Sequence, residues 1–432
     1  MQSTKPPSGT RDFLPEDIRR REYVIGVVRS VYERYGFEPL ETPAFENIET
    51  LLGKYGEEGN KLIFKILKRG EHESSGEADL ALRYDLTVPL ARVVAQYQNE
   101  LPKFFKRYQI QPVWRADRPA KGRFREFFQC DIDAIGSKSA LVEADILAAV
   151  AEIMTTLGFT DFVIRLNHRE ILSALLDDAG VPASQHGDAL VALDKLDKIG
   201  RDGVAREFVA RGIPDAAGAK ALAHFVDHQP FDILGRAHAA VANLIAIEEL
   251  CKQTPAHGRL RIDSSLARGL SYYTGAIMEI AVPDLAGSLG GGGRYDNLVG
   301  MFLGRDVPAC GFSLGLERII VVMTERNMFP QGLGGAVDVL ITLWNDTSQD
   351  DALGLAGELR SGGLRVEMYP EPDKLGRQFK YASSRNVPFV TIIGDDEKAN
   401  GTVGVKDMRS GDQQTMPRAD VTNFIRSRVR AS

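Results

Sequence analysis

Cysteine is nearly absent from this chain. Cys130, Cys251 and Cys310 are the only three in 432 residues. Widely spaced and without a Cys-x-x-Cys pair, they exclude a disulfide framework and a thiol zinc knuckle, and a reducing cytosol is the expected setting. Histidine is thin as well, with seven scattered residues. Only His224 and His228 share a helical i, i+4 spacing, and with neither His-Glu-x-x-His nor a third ligand beside them they are read as surface or capping groups. No Gly-x-Ser-x-Gly is present and Cys130 falls on the apolar side of its strand, so covalent nucleophilic catalysis has no candidate. Long apolar runs are missing. Even the stretch 144–154 is broken by Asp145 and Glu152, well short of the roughly 18 residues of a membrane span. The opening nine residues are polar and contain proline, unlike a signal core. Charge of one sign is not in large excess either: 53 Lys and Arg against 59 Asp and Glu leave a net −6. A polyanion must therefore be met by a local patch. These absences predict a soluble, cytoplasmic protein with no membrane partner.

What is present is an ordinary globular composition, 44% hydrophobic and 26% charged, in a chain too long for one core. Two or three domains are expected. Segment 16–35 carries apolar residues at helical spacing and ends at Gly36. A short strand pattern at 37–42 and Pro43 follow, then polar sequence whose glycines read as loops. Segments 80–83, 104–113 and 127–135 read as antiparallel strands, 141–157 as a helix and 162–167 as a strand. From 171 to about 251 the composition shifts to Ala, Leu, Asp and Gly in repeated helix patterns, read as a helical insertion. Strand patterns at 260–262 and 276–280 then flank the glycine run 290–293, and an apolar helix spans 314–324. The glycine-rich stretch 329–335 marks a boundary. Beyond it strand and helix patterns alternate, which predicts a small α/β domain with a mainly parallel sheet.

The densest chemistry lies between Trp114 and Gln129, where Arg115, Arg118, Lys121, Arg123 and Arg125 share a stretch with Phe124, Phe127 and Phe128. A strand, a turn on Pro119 and Gly122, and a return strand would aim guanidiniums at one anion, with triphosphate the natural candidate; a solvated basic hairpin is the other reading. Phe127 is placed to stack on a base while Arg115 and Arg123 hold phosphates. Asp85 and Thr87 offer a carboxylate and a hydroxyl for an ammonium group, or a helix N-cap at Thr87. Gln129, Asp131 and Asp133 alternate along one strand and so share a face, which suggests a pocket. Tyr272 and Tyr273 follow Arg268 between strands. Gly290–Gly293, ahead of Arg294, Tyr295 and Asp296, lacks the Walker lysine and the dinucleotide fingerprint, so close backbone approach is inferred. Arg318 opens an apolar helix and points to the sheet or to solvent.

In order, these elements resemble the class II aminoacyl-tRNA synthetases, and specifically the histidyl-tRNA synthetase family. The resemblance spans nearly the whole chain: the opening Gly-Thr-Arg-Asp-Phe-Leu-Pro at 9–15, the helix-strand-proline element ending at Pro43, the arginine hairpin, and the helix after Gly315. The last three are similar to class motifs 1, 2 and 3. Arg268-Gly-Leu-Ser-Tyr-Tyr-Thr-Gly and Gly-Gly-Gly-Arg294-Tyr-Asp resemble signatures of the histidine-specific branch.

The resemblance implies an α+β catalytic domain with an antiparallel sheet and a helical insertion, plus a small C-terminal α/β domain. The expected boundaries are 1–170 and 256–328 for the catalytic domain, 171–255 for the insertion and 336–432 for the anticodon-binding-like domain. It implies a homodimer joined partly through motif 1. It also implies a ligase that activates L-histidine with ATP and Mg2+ and transfers it to the 3′ end of tRNA(His). By the family pattern Asp85, Thr87 and Gln129 would bind the amino group of histidine, and Asp133 and Tyr273 the imidazole; Tyr272 and Tyr295 would line the same pocket. Arg115 and Arg268 would act on the α-phosphate next to the amino acid and serve as catalytic groups. Arg123 and Arg318 would face the outer phosphates and Phe127 the adenine. No dedicated protein metal site is implied. One departure is visible: Ser271 stands where the family commonly has aspartate, which removes a carboxylate beside Arg268. A synthetase-like regulatory subunit, lacking the anticodon domain and substrate residues, fits less well because Arg115, Arg123, Arg268 and Arg318 are all present. Another class II branch fits less well because of Asp133 and the tyrosine pair.

Overall fold

The computed structural model describes residues 4–70, 75–267, 272–285, 287–330, 333 and 335–429. The chain divides into two compact units, one built mainly from residues 21–328 and the other mainly from 329 onward.

The first unit is organised by an eight-stranded sheet. Its order is Glu38–Pro39, Phe105–Trp114, Glu126–Ile135, Ala309–Gly315, Gly290–Arg294, Ala276–Ala281, Val163–His168 and Leu260–Ile262. The inner pairings are antiparallel, and only the two edge strands pair in parallel. The helix Pro15–Arg34 turns Val24, Val28, Val31 and Tyr32 inward at the spacing its sequence dictates. Tyr32 fixes it to the sheet by donating to the Cys130 carbonyl at 2.9 Å. The helix Ala140–Thr156 is rich in Ala, Leu and Ile and buries Ile146, Leu147, Val150 and Ile153 completely. Each such side chain contributes roughly 1.5–3 kcal/mol of transfer free energy.

The glycine run is the clearest departure from the sequence reading. It does not sit between strands; it is one, paired with Ala276–Ala281 and Ala309–Gly315. The physical reason is space. A Cβ on Gly292 would stand 2.0 Å from the Gly311 carbonyl oxygen, so only glycine lets these backbones close on each other. The polar stretch after Pro43 also has more structure than loops. It forms the short helices Ile48–Leu51 and Gly56–Lys61 and a three-stranded sheet of Phe45–Asn47, Ala78–Leu82 and Lys65–Leu67. These pieces are too short to carry a readable period.

Six helices, from Arg169–Ala179 to Ala239–Cys251, form an excursion between the parallel neighbours Val163–His168 and Leu260–Ile262. Leu172, Leu175, Phe208, Leu222, Phe225 and Leu244 fill their interior. The second unit holds a five-stranded sheet in the order Val366–Met368, Val339–Ile341, Phe389–Ile392, Thr402–Asp407, Gln413–Pro417. The first three strands are parallel, as the alternating pattern predicts, but the last two are antiparallel, so the sheet is mixed rather than mainly parallel. The turn between Asp407 and Gln413 is too short for a crossover and permits only a hairpin. Among the described residues no helix is long and apolar enough to cross a membrane.

Candidate active site

The hairpin Phe105–Trp114 and Glu126–Ile135 pairs residue for residue with the strand Ala309–Gly315. Side chains alternate along each strand, so the register stacks three rows on one face: Gln111, Gln129, Gly315; Gln109, Asp131, Ser313; Arg107, Asp133, Gly311. Over this face lies a cavity of about 350 Å³. Its walls come from segments far apart in the chain, from Asp85 to Arg318.

At one end of the cavity is Asp133. Tyr295 donates its hydroxyl proton to Asp133 Oδ1 in a short hydrogen bond, and Arg107 Nη2 lies 2.7 Å from Oδ2. Burial raises the carboxyl pKa, and Arg107 and Tyr295 oppose the rise. Tyr295 is aimed here by its neighbour. Arg294 points the opposite way along the strand and grips Glu143 with two bonds of 2.6 and 2.8 Å, with the Ser137 carbonyl at 2.9 Å. Arg294 is therefore an internal staple, and Tyr295 beside it lines the cavity. Tyr272 stands edge-on to both Tyr273 and Tyr295, at centroid distances of 4.9 and 5.9 Å.

Asp85 is a buried cap. Its Oδ1 accepts from the Val88 N–H and from the Tyr55 hydroxyl, both at 3.0 Å, and Tyr272 donates to Oδ2 at 3.5 Å. Burial raises its pKa, opposed by the Val88 N–H, Arg115 and Tyr55. The helix Thr87–Gln96 thus takes its cap from Asp85 rather than from Thr87, which is the first helical residue and lines the cavity. Gln129 donates to Ser313 Oγ at 2.8 Å.

At the other end are the arginines. Arg115 is held by its Nε, which donates to the Tyr84 carbonyl at 3.1 Å, and its guanidinium lies over the rings of Tyr84 and Phe127 at 4.3 and 5.2 Å. Arg123 reaches the cavity from the hairpin turn and pairs with Asp117 at 2.6 Å. Arg318 points back to the sheet, donating to the carbonyls of Ser288 at 2.6 Å and Gly122 at 3.3 Å. Not every cation of the hairpin converges. Arg125 turns to the Ser8 carbonyl and Lys121 to Glu325, so the turn divides its charges between structure and cavity.

The structure therefore brings together Asp85, Thr87, Arg115, Arg123, Phe127, Gln129, Asp133, Tyr272, Tyr273, Tyr295 and Arg318 around one cavity. Arg268 and Ser271 lie outside the described residues. Sequence reasoning missed Tyr55, Arg107, Glu317 and Lys198. Arg107 was within reach: it sits directly across from Asp133 once the hairpin register is set. Glu317 is buried, accepts the Phe128 N–H at 2.9 Å and has its pKa raised by burial. Lys198 comes from the helical insertion, and nothing in its local pattern marks it.

Comparison with known proteins identifies the family. The family model for histidyl-tRNA synthetase matches residues 9–319, and that for an anticodon binding domain matches 337–428. Histidine–tRNA ligase of Porphyromonas gingivalis is 41% identical, covering 98% of this chain and 99% of the relative. The Flavobacterium johnsoniae ligase is 40% identical, over 95% and 97%. The crystal structure of histidyl-tRNA synthetase from Nostoc sp. superposes with a TM-score of 0.81 at 32% identity, covering 99% of this chain and all of that one. With a matching fold, a matching family model over most of its length and relatives aligned end to end, this chain belongs to the histidyl-tRNA synthetase family.

Proposed function

We propose that the cavity performs the first half of the histidine–tRNA ligase reaction, with its two ends dividing the substrates. The observation that carries this is the convergence of Arg115, Arg123 and Arg318 on the same hollow as Asp85, Asp133 and the three tyrosines. Histidine binds at the carboxylate end. Asp133, held by Arg107 and Tyr295, accepts an imidazole N–H, and Tyr273 offers a second polar contact. Asp85, Thr87 and Gln129 surround the amino group. ATP lies toward the hairpin, its adenine on Phe127, its α-phosphate beside Arg115 and Arg268, and its outer phosphates toward Arg123 and Arg318. Arg123 exchanges Asp117 for phosphate when ATP arrives.

A histidine carboxylate oxygen attacks the α-phosphorus in line; the bond to the bridging oxygen breaks and pyrophosphate leaves. Arginines stabilise charge on the phosphoryl oxygens where it develops. Among the described residues no group of three or more His, Cys, Asp or Glu is placed to hold a metal ion. Magnesium enters this reading as the companion of the triphosphate. In the second half a terminal ribose hydroxyl of tRNA attacks the mixed anhydride carbonyl, and AMP leaves.

The domain matched as anticodon-binding offers Arg377, Lys380 and Arg385 on the helix Leu375–Ser384 and its cap as candidate phosphate contacts. Two copies of the chain are proposed to associate near the element ending at Pro43, where Phe45 and Leu67 of the three-stranded sheet are exposed and apolar; sedimentation gives the mass. A cytoplasmic location suits the three buried free thiols. The test of the whole reading is amino-acid-dependent ATP–pyrophosphate exchange by purified protein. Exchange with histidine alone is expected. Exchange only with proline or glycine, or no exchange with any amino acid, overturns the reading.

A further inference from the structure

Four buried acceptors of the cavity lining, Gln129 Oε1, Asp131 Oδ1, Asp133 Oδ2 and Glu317 Oε1, have no hydrogen-bond partner, but Asp133 Oδ2 has Arg107 at 2.7 Å and Glu317 Oε1 has Arg21 at 3.8 Å as counter-charges. Asp131 is 2% exposed and sits in the middle row of the face, between Gln109 and Ser313 across the strands. The arginine nearest its row, Arg107, is placed at 2.7 Å from Asp133. A buried carboxylate is costly, and burial outweighs the attraction of Arg107 and a hydrogen bond from Ser313 and pushes Asp131 up to about 7. Its neighbours are differently placed. Asp85 already accepts from Val88 and Tyr55 and faces Tyr272, and Asp133 is held by Tyr295 and Arg107. The acceptor capacity left for an incoming cation is therefore concentrated at Gln129 and Asp131, adjacent on one strand face.

We propose that Asp131 is a substrate-binding residue that receives the α-ammonium group of the amino acid, together with Gln129, because its unpartnered oxygen lies between Gln129 and the imidazole-reading Asp133. This rests on the functional reading above and refines it: Asp85 orients the wall, and Asp131 supplies the counter-charge. Alternate strand residues stand about 6.8 Å apart, a span that lets the two polar ends of one histidine address Asp131 and Asp133 in turn.

The test compares wild type with Asp131→Asn, which keeps shape and removes charge, using three probes in calorimetry and in competition against exchange. Histidine and histamine carry the ammonium; 3-(imidazol-4-yl)propionate lacks it. Asp131→Asn is expected to weaken histidine and histamine by roughly 10- to 100-fold, the loss of a charge-assisted hydrogen bond, while the propionate changes by less than about twofold and the KM for ATP holds. A second variant, Asp131→Ser, gives the same contrast and guards against an amide that disturbs Ser313. Equal losses for all three probes would assign Asp131 to the imidazole or to structure and overturn the proposal, as would no loss for histidine. A wild type that binds none of the probes overturns the functional reading itself, which separates the two failures.

Discussion

Arg107 and Asp133 face each other across the hairpin as an ion pair of 2.7 Å, with side chains 0% and 3% exposed. Such a pair is a poor source of net stability, because desolvation offsets most of the Coulomb attraction, but removing one member strands the other. Burial raises the pKa of Asp133 and Arg107 opposes that rise, which favours the charged form that the proposed imidazole contact uses. Replacing Arg107 with Met is expected to raise the KM for histidine at least tenfold while the KM for ATP changes little. Exchange kinetics with each substrate varied in turn separates the two. A rise in both together would show that the pair serves the fold alone.

Gly311 lies on the other side of the same carboxylate. A Cβ there would stand 1.8 Å from Asp133 Oδ1 and 2.9 Å from the Ile132 carbonyl, a contact that backbone cannot relieve. Gly311→Ala is therefore expected to displace Asp133 from Tyr295 and reduce histidine affinity by more than tenfold without abolishing ATP binding. Calorimetry with histidine and with ATP measures both, and unchanged histidine affinity would mean the strand yields instead.

Arg294 belongs to a sequence signature yet does not line the cavity. With Glu143, Ser137 and Asp296 around its guanidinium, it ties the strand Gly290–Arg294 to the helix Ala140–Thr156. Arg294→Ala leaves Glu143, itself buried, without a partner, and a loss of about 3–5 kcal/mol is expected. Lysine would not rescue it, since a single ammonium cannot match the forked contact. Thermal melting of both variants decides. If Arg294→Ala melts like wild type but loses exchange, Arg294 has a role at the substrate.

The site was legible in the sequence wherever chemistry and period coincided. Gln129, Asp131 and Asp133 declare a shared face through alternation alone, and the strand Glu126–Ile135 puts them on one. The arginines of the hairpin announce an anion but not which of them reach it. Arg115 and Arg123 line the cavity, while Arg125 and Lys121 turn to partners in other segments, and such partners leave no trace in a local pattern. Tyr55, in a polar stretch of short helices, and Lys198, on an insertion helix, are placed by tertiary contacts. The glycine run was misplaced because glycine normally disfavours strands; the override comes from neighbouring backbones too close for any Cβ.

The buried carboxylate of Asp131 should also show itself in stability. Its pKa is raised from the carboxylate value of 3.8 to about 7 in the folded chain, chiefly by burial, with Arg107 and a Ser313 hydrogen bond opposing the rise and Asp133 and Asp85 adding to it. Between these two values the folded state binds more protons than the unfolded state, so stability falls as pH rises through that window and levels off above about 7. Asparagine cannot titrate and escapes the penalty. The ligand-free Asp131→Asn protein is therefore expected to melt above wild type at pH 8, with the gap narrowing steadily toward pH 4. Melting curves of both proteins across that range, without histidine, measure it. Saturating histidine should close part of the gap at pH 8 by binding wild type more tightly than the variant and so stabilising it more. A gap that is flat with pH would mean the carboxylate is already compensated in the empty cavity.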